Sequence, residues 1–139
     1  MAVRVRLRIR CLRTGREVST SALVSSGYEA DTPQLLIPRR LAHEAGLWPP
    51  PEDAYLVEVG AASGPVRNYL VPRALEVYVV TNDRVVGPVI CDAMISGLEH
   101  EVLISDKLGG ELGIAILDLR DRWRFRDEVI ERETEPPQY

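Results

Sequence analysis

The sequence predicts an all-β domain with one or two short helices, and three observations carry that prediction. Val3, Val5, Leu7 and Ile9 alternate with Arg4, Arg6, Arg8 and Arg10, the period of a half-buried strand. Later apolar runs, such as those at 55–59 and 74–80, are short, rich in β-branched residues and bounded by Gly, Pro, Asn or Asp. Helix punctuation is clear in one place, where Pro38 opens the stretch 39–45 and Gly46 closes it. A mainly β chain of 139 residues with this pattern suits a small closed or sandwiched sheet.

The elements follow in order. Thr14-Gly15 turns the first strand into a second over 17–24, making a hairpin. Ser25-Ser26-Gly27-Tyr28 is a polar tight turn, and the chain becomes apolar again at Leu35-Leu36-Ile37. After the helix at 39–45, Trp48-Pro49-Pro50-Pro51 is a stiff loop that cannot prolong it. Strands are expected at 55–59, 66–71, 74–80 and 85–90, with a flexible connection over Gly60 to Pro65 and a hairpin turn at Asn82-Asp83. The apolar run 102–104 leads to a second helix around 106–112, punctuated by Gly109, Gly110 and Gly113. A last strand begins at Ile114 and is read as continuing through Trp123 and Phe125, before a polar tail over 127–139 that is expected to fray.

Composition narrows the function classes. Hydrophobic residues are 45% and charged residues 27% of the chain, the balance of an ordinary globular domain spanning 1–139. No apolar run approaches the roughly 18–20 residues of a membrane helix, and the alternating N-terminus lacks the apolar stretch of a secretory signal. A soluble, cytoplasmic protein with no membrane partner is expected. Cys11 and Cys91 are the only cysteines and no CxxC is present, so they read as small, partly buried side chains, with neither metal nor cofactor implied. His43 and His100 are the only histidines, and His43 reads as an exposed helix position. The net charge of −4 argues against general affinity for nucleic acid.

One succession of segments is more specific. An apolar strand ends in Ala22-Leu23-Val24-Ser25-Ser26-Gly27, and Leu36-Ile37-Pro38 leads through Leu41-Ala42 to Gly46-Leu47. A glycine-rich connection joins two strands at 60–65; Val102-Leu103-Ile104-Ser105-Asp106-Lys107-Leu108 and then Leu112-Gly113-Ile114 follow. In this order, over roughly 17–119, the chain resembles the retropepsin-like aspartic protease family. The resemblance implies a closed sheet, a two-fold homodimer, and a groove formed by Ser25, Ser26 and Gly27 with flap residues Ala62, Ser63 and Gly64. It also exposes two departures. The catalytic aspartate position reads Ser25, and a glycine of the second signature reads Ile104.

Aspartic proteases use two carboxylates sharing one proton around a water. A serine hydroxyl cannot serve as that base, and a homodimer would lose both carboxylates together. The fold is therefore expected without the ordinary protease chemistry. Asp31, with Glu29 close by, is the candidate substitute carboxylate. Ser25 as a nucleophile would need a base, for which His43, His100 and Lys107 are the candidates.

Arginine supplies a second motif. Arg4, Arg6, Arg8 and Arg10 share one strand face, and Arg120, Arg122, Arg124 and Arg126 repeat the period. Like charges across a sheet repel, so an acidic partner is expected: Asp118, Asp121 and the tail carboxylates of 127–135, or an external anion such as a phosphate backbone. Three functions follow: a non-catalytic homodimeric module binding a peptide or protein; a nucleic-acid-binding dimer using the arginine stripes; or a protease with a displaced carboxylate such as Asp31.

Overall fold

The computed structural model describes residues 3–25, 27–61, 64–118 and 122–138. Strand β1 (Arg4–Cys11) pairs antiparallel with β2 (Glu17–Val24), Arg4 opposite Leu23 and Arg10 opposite Glu17. The period-two alternation does what it predicts: Val5, Leu7 and Ile9 are buried while Arg6 and Arg10 are exposed. Strand β3 (Gln34–Pro38) runs into helix α1 (Arg39–Ala45), which ends at Gly46 in the left-handed conformation, φ 82°. The Gly46 N–H reaches the His43 carbonyl (3.1 Å) and the Leu47 N–H the Ala42 carbonyl (2.7 Å), the closure a C-terminal glycine permits.

Six strands close into a barrel. Beyond the first three they are β5 (Gly64–Val80), β6 (Val85–Ser96) and β7 (Val102–Ile104), in the order β1-β2-β7-β3-β6-β5. The ring shuts where β5 returns to β1, Leu7 facing Val79 and Cys11 facing Leu75. Strand β4 (Tyr55–Ala61) lies outside the ring, paired only with the first part of β5. Two pairings are parallel, β2 with β7 and β3 with β6. Helix α2 (Asp106–Glu111) is capped by Ser105, whose buried Oγ accepts from the Leu108 N–H (3.2 Å) and the Gln34 N–H (3.1 Å). The barrel interior holds Leu7, Ile9, Leu35, Ile37, Leu75 and Ile104, all fully buried. Each such side chain contributes about 1.5–3 kcal/mol by leaving water. Cys11 and Cys91 are buried free thiols, and His43 is exposed on α1. Among the described residues no helix is long and apolar enough to cross a membrane, and no group of three or more His, Cys, Asp or Glu could hold a metal ion.

Three expectations are corrected. The strands read at 66–71 and 74–80 are one strand of 17 residues. Pro72-Arg73 does not end it, because Arg73 takes a positive φ of 47° and the register with β6 shifts between Val71 and Leu75. The shift is held by the buried Asp92, which accepts from the Arg73 N–H (2.8 Å) and the Thr32 hydroxyl (2.7 Å). The strand beginning at Ile114 does not continue through Phe125. It stops as β8 (Ile114–Asp118), and β9 (Arg122–Phe125) folds back antiparallel with Ile114 opposite Phe125. Nor is the tail free. Strand β10 (Arg132–Glu133) pairs with β9, the Glu135 N–H donates to the Arg4 carbonyl (2.9 Å), and the Ser21 hydroxyl donates to the Pro136 carbonyl (2.9 Å). A polar sequence is ordered here because its backbone groups find partners on the barrel.

Candidate functional site

Ser25 follows the last residue of β2, beside the end of the parallel strand β7. Its N–H donates to the Ile104 carbonyl (3.2 Å), and its carbonyl accepts from the Tyr28 N–H (3.3 Å). The loop after it is tied to α2, where the Asp106 N–H donates to the Tyr28 carbonyl (2.8 Å) and Asp106 Oδ1 accepts from the Ala30 N–H (3.1 Å). Tyr28 is half-buried and donates its hydroxyl to Gln34 Oε1 (2.9 Å). Burial, reinforced by Cys91 and Asp92, pushes its phenol above the ordinary tyrosine range.

Across from this loop stands the hairpin of β4 and the start of β5, with Val57 opposite Asn68 and Val59 opposite Val66. Between loop and hairpin runs a groove of about 590 Å3. The hairpin contributes Val57, Val59, Val66 and Asn68; the barrel contributes Leu36, Leu70, Met94 and Leu103. The charged side chains among its described lining are Glu29 and Glu99, both carboxylates. Ser96 shapes the turn carrying Glu99, its Oγ accepting from the N–H groups of Leu98 (3.2 Å) and Glu99 (3.1 Å).

Asn68 is the anomaly. Only 3% exposed, it has an Oδ1 with no hydrogen-bond partner, the one buried side-chain N or O atom so placed among the described residues. Native proteins leave few such groups.

The fold brings some sequence-predicted residues together and separates others. Ser25 and Gly27 both line the groove. Gly64 sits at the hairpin end opposite Ala61 and outside the groove lining, with φ 114°. Ser26, Ala62, Ser63 and Arg120 lie outside the described residues. Asp31 is exposed and does not line the groove, whereas its neighbour Glu29 does.

The arginine stripes are largely engaged within the chain. Arg4 pairs with Glu101, Arg10 with Glu76 (3.4 Å), and the Arg8 guanidinium stacks 4.5 Å from the Tyr78 ring centroid. Arg6 is exposed and borders a second cavity together with Glu131, Glu133 and Glu135. Arg122 meets Glu131 (3.6 Å), Arg124 donates to the Glu128 carbonyl (2.7 Å), and Arg126 donates to the Gly110 carbonyl. The tail carboxylates chiefly answer two arginines outside the stripes. Arg132 binds Glu128 (2.8 Å) and Asp83 (2.6 Å), and Arg84 binds Asp127 (2.8 Å) and Glu128 (3.3 Å). Arg132 also lies 5.4 Å from the Phe125 ring centroid and 5.9 Å from that of Trp123.

Asn68 and Glu99 escaped the sequence reading. For Asn68 a signal existed: it shares a strand face with Val66 and Leu70, where a polar residue interrupts an apolar row. Glu99 carried none, since only the tertiary fold brings its turn to the groove. The chain matches no family model and no curated protein.

Proposed function

We propose that this chain is a retropepsin-like module that binds an extended peptide in the groove between the Ser25 loop and the β4–β5 hairpin, without aspartic-protease chemistry. One observation carries the reading. The segments that resemble the family's two signatures lie side by side, Ala22 to Val24 paired with Val102 to Ile104, and Ser25 emerges from them facing an apolar groove walled by a hairpin. An extended peptide suits such a site because its backbone can pair with strand edges while alternate side chains enter apolar pockets. On this reading the module acts as a two-fold homodimer, each copy supplying half of the binding surface. Ser25 supports the non-catalytic part: a hydroxyl has no accessible carboxylate-like ionisation with which to activate water.

The test couples binding to cleavage. A library of unstructured peptides is panned against the wild-type chain and against Met94→Trp, which fills the groove, and the bound peptides are then incubated with the protein from about pH 3 to 8 and weighed by mass spectrometry. Peptides retained by the wild type, lost by Met94→Trp and recovered intact are the expected result. Cleaved products would overturn the non-catalytic reading, and retention unaffected by Met94→Trp would overturn the groove.

A further inference from the structure

We infer that the groove selects a peptide presenting a cationic, hydrogen-bond-donating side chain, arginine or lysine, among apolar neighbours. This deepens the peptide-binding reading above and rests on it. The first ground is Asn68. A buried amide oxygen without a partner is destabilising relative to a satisfied one, and none of the described residues supplies it with a partner. Its strand neighbours on the same face, Val66 and Leu70, line the groove, so the carbonyl belongs to the ligand's side of the wall. A donor on the ligand would satisfy it.

The second ground is charge, and it is independent of the first. Glu29 and Glu99 line the groove, and no arginine, lysine or histidine does so among the described residues. Neither carboxylate has an ion pair among those residues, whereas Glu76, Glu101, Glu128 and Glu131 each have one. Tyr28 already donates its hydroxyl proton to Gln34, leaving its oxygen able only to accept. The polar chemistry of the groove is therefore acceptor-rich and negative, inside walls that are otherwise aliphatic. An acidic peptide meets repulsion there, and an apolar side chain offers Asn68 no donor. A guanidinium or ammonium satisfies both the oxygen and the field, while its methylene stem packs on the valines.

A short valine–serine peptide with one central position varied tests this by fluorescence anisotropy. The central residue is arginine, its uncharged isostere citrulline, norleucine or glutamate. Affinity is expected to fall in that order, with about tenfold between arginine and norleucine, the factor that 1.4 kcal/mol makes. Asn68→Leu is expected to abolish the preference of citrulline over norleucine, and Glu29→Gln with Glu99→Gln the preference of arginine over citrulline. Circular dichroism melts of each variant confirm that it is folded at the assay temperature. Norleucine binding as tightly as arginine would overturn the inference while leaving the groove reading intact. Failure of every peptide in the series to bind would overturn both.

Discussion

The C-terminal strap, residues 122–138 with the turn at Asp83-Arg84 that they meet, and the groove use the same kinds of polar side chain in opposite ways. In the strap, Glu128 lies between Arg132 and Arg84, Asp83 and Asp127 close the outer ends, the Phe125 ring underlies both arginines and the Trp123 ring lies near Arg132. Donors and acceptors there meet each other. In the groove, Glu29 and Glu99 face open space and Asn68 keeps a buried oxygen unpaired. The difference shows which charges are available to a partner. Arginine dominates the basic residues of this chain, yet most described members of its stripes are engaged internally, and in the groove the unanswered groups are acceptors.

The largest effect that breaks the comparison is Arg132→Ala. It leaves Glu128, 12% exposed, with Arg84 and the Phe125 N–H, and releases Asp83. A loss of about 2 kcal/mol is expected in urea denaturation, with affinity for the arginine peptide unchanged because the groove lies elsewhere.

Acid should dissolve the same contrast. Arg132 first, then the Phe125 N–H and Arg84, hold the Glu128 carboxyl down to about 2, from an ordinary value of 4.5. A depressed carboxylate contributes stability that is complete above its unfolded value and disappears as pH falls through its folded one. The strap's contribution is therefore present above about pH 4.5 and lost on the way to about pH 2. In Glu128→Gln, the pH dependence of the melting temperature in that window should flatten.

The smallest effect has the opposite sign. Asn68→Leu replaces an unsatisfied amide by an apolar side chain of similar size, and its melts should show stability unchanged or raised by up to about 1 kcal/mol. A clear loss would mean that Asn68 is held by a partner in the free protein.

Much of the fold was legible because local chemistry and tertiary structure agree. The β1–β2 hairpin, α1 with its Gly46 stop and the helix after Ser105 follow from periodicity and caps. Pro72-Arg73 misled because its rescue lies far along the chain: Asp92 supplies the acceptor that lets Arg73 stay in the sheet. The tail misled because polarity was equated with solvent, while its partners are the backbone of β1 and the side chain of Ser21. At the candidate site, the resemblance led to Ser25 and Gly27. It could not lead to Glu99, whose place in the groove depends on a turn fixed by Ser96.

The position of β4 has a consequence for how this protein can change. Six strands complete the ring without it, so its hydrogen bonds serve only the hairpin that walls the groove. Substitutions along β4 can accumulate without unpicking the ring. The preference of the groove can thus drift toward new ligands while the body that carries it stays the same.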